Sequence, residues 1–103
     1  MKNEMIGKYV IVRCRDAGVH AGVLIGQEGR ECVLDQSRRL WRWVVPKGAS
    51  EFLSGVAADG LDHTGSKIGG SIKVHLTETC ELIECSAKAE ASIREAPVCK
   101  RTK

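Results

Sequence analysis

Between Tyr9 and Val45, apolar and polar side chains keep changing places every second residue, and this alternation restricts the fold more than any other feature of the chain. IGKYVIVRCR, from Ile6 to Arg15, is rich in β-branched residues. It sets Val10, Val12 and Cys14 on one face and Tyr9, Ile11 and Arg13 on the other, the pattern of a strand. Asp16-Ala17-Gly18 supplies a turn, after which Val19, Ala21, Val23 and Ile25 share one face of a second strand. A reversal at Glu28-Gly29 puts Ile25 across from Cys32 and Val23 across from Leu34, so both arms of the hairpin offer apolar side chains to the same side. Arg39 to Val45 reads as a further strand, stopped by Pro46 and Gly48, neither of which suits the middle of a sheet.

Beyond Pro46 the pattern changes. Ser50 is placed to cap a short helix with Phe52, Leu53, Val56 and Ala57 on one side, weakened by Gly55. ADGLDHTGSKIGG, from Ala58 to Gly70, reads as a mobile loop or irregular connection. Ser71 to Thr77 alternates again, with Ile72, Val74 and Leu76 inward and Lys73, His75 and Thr77 outward, and Cys80 to Cys85 gives another strand. Ser86 then caps a last helix to about Glu95, with Ala89 and Ile93 spaced to pack on the sheet, Lys88, Glu90 and Arg94 in water, and Pro97 as the stop. The expected fold is α+β: a twisted, mostly antiparallel sheet of five to six strands, or a small partly open β-barrel, with two short helices covering its apolar face. Residues 1–96 form one domain and residues 97–103 a frayed basic tail.

Composition narrows the function classes. At 103 residues, 43% hydrophobic and 28% charged, the chain matches a single soluble globular domain. Such a domain buries only about two-thirds of the surface its unfolded chain exposes, so a homo-oligomer would gain stability. The net charge of +3 is mild, but residues 1–50 carry nine Lys/Arg against five Asp/Glu, and residues 51–103 seven against eight. Five cysteines with no apolar leader, Met1 to Gly7 being polar, suit a reducing cytosol, with Cys14 and Cys32 as small core hydrophobes. No stretch approaches the roughly eighteen apolar residues of a membrane span, so no membrane partner is expected.

No motif identifies a reaction, and the chain reads as a non-enzyme without a cofactor. None of His20, His63 and His75 has a serine or cysteine partner suggested by the sequence. His20, in AGVHAG, lies between small residues that let another group approach, though a strand histidine is more often a hydrogen-bonded, partly buried side chain. Cys80 and Cys85 are spaced too widely for a zinc knuckle and alternate to opposite faces. Gly65-Ser66-Lys67 lacks the spacing of a phosphate-binding loop.

RRLWRW, from Arg38 to Trp43, places three arginines beside both tryptophans of a chain with four aromatic residues. The plain reading packs the tryptophan face into the core and leaves Arg38, Arg39 and Arg42 on an exposed face. Two functional readings compete with it: a platform for an anionic, ring-bearing ligand such as a nucleotide or single-stranded nucleic acid, or an anchor for a protein interface. Strand alternation puts Trp41, Trp43 and Val45 on one face and Leu40, Arg42 and Val44 on the other. Only Arg39 then accompanies the rings, which favours a docking surface.

YVIVR (Tyr9 to Arg13), AGVHAGVL (Ala17 to Leu24), the Gly29 hairpin, RRLWRW and LTETCELIECS (Leu76 to Ser86) together resemble a small uncharacterised protein family encoded by tailed bacteriophages and prophages. The resemblance spans most of the chain apart from the glycine-rich middle and the basic tail. Where relatives have a neutral residue near the first turn, this chain has Cys14-Arg15-Asp16. The resemblance implies a phage origin and a host-cytoplasm setting, and supplies no site residues. The leading expectation is a non-catalytic accessory protein that binds a host protein or a small anionic host molecule, with Trp41, Trp43, Arg38, Arg39, Arg42 and His20 as candidate binding residues. The alternatives are a nucleic-acid-binding module that also uses Lys100 to Lys103, and a minor virion component.

Overall fold

The computed structural model describes residues 3–102, so the expectation for the last lysine of the basic tail, Lys103, falls outside the described residues. Three strands, β1 (Tyr9–Cys14), β2 (Val19–Glu28) and β3 (Glu31–Arg42), are followed by α1 (Leu53–Asp59). Three shorter strands, β4 (Lys67–Ile68), β5 (Ile72–Leu76) and β6 (Thr79–Glu84), then lead into α2 (Ala87–Glu95). All six strands belong to one antiparallel sheet in the order β4-β3-β2-β1-β6, with β5 also on β3. β3 is long enough to serve two partners: Cys32, Leu34 and Ser37 oppose β5, and Leu40 and Arg42 oppose β4. The sheet does not close into a barrel; the fold is α+β, as the alternation predicts.

Local register departs from expectation in the β2–β3 hairpin. Leu24 rather than Val23 faces Leu34, Val23 faces Asp35, and Gln27 faces Cys32. Irregularities between Ala21 and Val23 and between Leu24 and Gly26 cause the shift, because each bulge moves later side chains to the other face. Val19, Ala21 and Val23 still share one side of the sheet, as expected, with Leu24 on the other; it is Ile25, at the second irregularity, that is left exposed. On β3 the left-handed Gln36 (φ 51) interrupts the alternation in the same way. β3 nevertheless runs unbroken from Glu31, where a separate strand was expected from Arg39.

The sheet was expected to hide one face, yet it buries two. Tyr9, Ile11, Ala21, Leu40 and Ile68 pack with Val56, Ala57, Leu61 and Ile93 under the helices. On the opposite face Val10, Val12, Leu24, Cys32, Leu34 and Leu76 form a second cluster, joined by the half-buried Cys14. Among the described residues, none from α1 or α2 belongs to this second cluster. Close by, the start of β6 is tied back to the β2–β3 turn by the Thr79 N–H and hydroxyl, which donate to the Arg30 carbonyl at 2.9 and 2.8 Å. β1 thus behaves as a central strand buried on both sides, which accounts for its nearly continuous apolar run.

Ala58 to Gly70 is not a loose loop. Leu61 and Ile68 are core residues, Ile68 sits in β4, and the backbone between them is satisfied from outside. The Asp62 N–H donates to the Val44 carbonyl at 2.7 Å, the Leu61 N–H to Ser92 Oγ at 2.9 Å, and the Val44 N–H to Ser66 Oγ at 3.0 Å. Nor is the tail wholly frayed, since Val98 bridges to Ile68 and the Cys99 N–H donates to the Ile68 carbonyl. Ile72, expected inward, is exposed. Ser86 caps α2 as expected, accepting the Ala89 N–H at 3.0 Å. Ser50 does not cap α1, whose N-cap position is Phe52 and has no side-chain bond.

Candidate functional site

The structure separates the two tryptophans. β3 ends at Arg42, with an irregularity between Leu40 and Arg42, so Trp43 leaves the sheet and its alternation. Trp43 and Val45 then pack, half-buried, on the helix-side core that contains Leu40. Trp41 points away and is 69% exposed. The expectation that Trp41, Trp43 and Val45 share a face opposite Leu40 is therefore corrected: alternation holds only while a strand stays paired in register.

The arginines also divide. Arg38 is 5% exposed; two of its guanidinium nitrogens are spent on the backbone, and the third, Nη2, is buried without a hydrogen-bond partner among the described residues. Nε donates to the Gly69 carbonyl at 2.7 Å, and Nη1 to the carbonyls of Ile93 at 2.8 Å, Ala96 at 2.6 Å and, more distantly, Arg94 at 3.4 Å. The last three carbonyls stand at the C-terminal end of α2, where intrahelical donors run out, although the Ile93 carbonyl also accepts the Ala96 N–H at 3.2 Å, and where a cation meets the negative end of the helix dipole. Arg38, expected on the exposed face, is thus a clamp between β3 and α2. Arg39 and Arg42 are exposed as expected.

His20 lies opposite Arg39 in the β2–β3 register. Its Nε2 is 2.9 Å from the Ala17 carbonyl, and the ring is only 7% exposed. Burial pulls its pKa below the ordinary 6.5, the Ala17 carbonyl partly opposing this and the Arg39 charge adding to it. Folding therefore disfavours the protonated ring. His20's contribution to stability is intact above about pH 6.5 and is lost as pH falls from there through the lower folded-state value. Urea unfolding midpoints at about pH 7 and about pH 5 should show a smaller drop for His20→Gln than for the unaltered chain. An equal drop would remove His20 from the account.

Sequence reading missed Lys67, which it placed in a loop. β4 brings Lys67 alongside the end of β3, with its Nζ 5.2 Å from the centre of the Trp41 ring. The only local signal was the Lys67-Ile68 pair interrupting a glycine-rich run. Elsewhere Lys8, Arg13, Lys88 and Arg94 are matched with Glu84, Glu81, Asp59 and Glu90. Among the described residues, no carboxylate forms an ion pair with Arg39, Arg42 or Lys67. Arg39 instead lies over Gly18, where an added Cβ would be 3.1 Å from Nη2. The result is an outward-facing indole at the end of a rigid strand, with three unmatched cations on its own and adjoining positions.

Metal chemistry has no comparable constellation. Among the described residues, no group of three or more His, Cys, Asp or Glu side chains is placed to hold an ion. Cys80 is exposed, whereas Cys85 is half-buried with its thiol pushed up to about 12 by burial and then by Glu90 and Glu84. Among the described residues, no helix is long and apolar enough to cross a membrane. No curated protein and no solved structure matches the chain. One family model does, described as a domain of unknown function (DUF6948), over residues 7–93.

Proposed function

The chain belongs to the DUF6948 family, and from that premise we propose that it is a non-catalytic binding module whose outer β3 surface takes an anionic, ring-bearing small molecule of the nucleotide class. The observation that carries this reading is the exposed Trp41 ring beside Lys67, Arg39 and Arg42, three cations without carboxylate partners among the described residues. A base can stack on the indole while its phosphate meets the cations, which is how ring and charge cooperate in nucleotide recognition. The separation of Trp41 from Trp43 removes the argument that favoured protein docking, because ring and cations no longer lie on opposite faces. The phage-like sequence blocks support the wider setting we propose, an accessory protein acting on a host molecule in the host cytoplasm.

Titration with adenosine and guanosine nucleotides, followed by tryptophan fluorescence in a Trp43→Phe background, isolates the Trp41 signal. Quenching should saturate and weaken with added salt. Trp41→Ala should reduce affinity, measured by calorimetry, about 5- to 150-fold, the range of one base–aromatic stack. Because Trp41 is exposed, the same change should alter stability by less than about 0.5 kcal/mol. Absence of quenching at millimolar nucleotide would sink the reading. Binding of oligothymidylate but not of mononucleotides would replace it with a single-stranded nucleic-acid module, with a salt slope that counts the phosphates engaged.

A further inference from the structure

A second apolar feature lies on the helix-bearing side of the sheet. Val19, Trp43, Leu53 and Ile83 line an open groove of about 460 Å³, and Phe52 stands at its margin, 78% exposed. The backbone holds Phe52 in that position. Its carbonyl accepts the Gly55 N–H at 2.8 Å, and the Ser50 carbonyl occupies the space where a Gly55 side chain would be. An exposed ring carried on a fixed backbone beside an apolar groove forms a projection and a recess on one surface. Such a pair is self-complementary about a two-fold axis.

The charges repeat this complementarity. Glu51 adjoins Phe52 in the chain and has no ion-pair partner among the described residues. Arg13 lies at the groove wall, already ion-paired at 3.2 Å through one Nη with Glu81 of the same wall, and the remaining donors of its five-donor guanidinium make no other ion pair among the described residues. We propose that this face pairs two copies of the chain. The Phe52 ring of each copy enters the groove of the other, and each Glu51 meets the other's Arg13. A domain of this size gains disproportionately from such burial. The proposal does not rest on the nucleotide reading, since Trp41 lies on the other side of the sheet.

Sedimentation equilibrium from about 5 to 500 µM should show a monomer–dimer equilibrium for the unaltered chain. Phe52→Glu should be monomeric throughout with an unchanged circular dichroism spectrum, since the exposed side chain holds up nothing in its own domain. Glu51→Lys should weaken association at least tenfold, and Trp41→Ala should leave it unchanged. A monomeric unaltered chain, or a Phe52→Glu variant that dimerises as well as the unaltered chain, would overturn the assignment.

Discussion

Replacing Arg38 with alanine is expected to destabilise the domain by about 3 kcal/mol or more, a large share of the 5–15 kcal/mol that holds a typical domain together. The guanidinium makes three short bonds, to Gly69, Ile93 and Ala96, and the residue is buried. Bonds to a charged donor contribute about 1.5–3 kcal/mol each, and the cost of burying the charge cancels part of their sum. Removal leaves carbonyls facing a cavity and detaches the end of α2 from β3. Arg38→Lys keeps the charge but not the fork, so it should recover no more than about half of the loss. Urea unfolding measures the difference, and amide exchange at Ile93 to Ala96 locates it. A change in Arg38→Ala of less than about 0.5 kcal/mol would show that the clamp carries no net stability.

Gly55→Ala should reverse the sign expected of that substitution in a helix. Alanine ordinarily stabilises a helix interior by about 1 kcal/mol relative to glycine. Here its Cβ would lie 1.8 Å from the Ser50 carbonyl oxygen and 2.7 Å from its carbon. Both atoms are backbone, so no side chain can rotate aside, and the chain between Ser50 and Phe52 must move. The expected net loss is about 2–3 kcal/mol. Ala58→Gly, at an exposed position of the same helix, should lose about 1 kcal/mol through propensity alone. Thermal unfolding of the two variants separates the effects, and a Gly55→Ala protein more stable than its parent would disprove the close approach. If Phe52 mediates pairing of copies as proposed, this variant should also shift the monomer–dimer equilibrium, because the displaced segment carries Phe52.

The candidate site was legible in part. The sequence marked RRLWRW as unusual, and it correctly placed Arg39 and Arg42 outside. It could not divide the tryptophans, because the end of β3 at Arg42 depends on pairing with β4, a two-residue strand within a run that reads as loop. Nor could it place Arg38 inside. The partners that justify burying this charge are carbonyls 31 and 55 to 58 residues away in the chain, and carbonyls are the same at every position. Lys67 was missed for the reason Trp43 was misassigned: both depend on the β3–β4 pairing.

By itself the sequence determined the class of fold, the first two strands and the reversal after them, the Ser86 cap and the Pro97 stop, since each follows from interactions within a few residues. Side-chain alternation, a capping hydroxyl and a missing N–H act locally and can be read one segment at a time. Tertiary structure alone decided which face each residue after a bulge would occupy, that β1 would be buried on both sides, and that one arginine of three would serve as a helix clamp. A bulge belongs to a pair of strands rather than to either one, and one inserted residue transfers every later side chain across the sheet. The irregularity between Leu40 and Arg42, with β3 ending just after it, brought Trp43 against the core and left Trp41 in solvent beside Lys67.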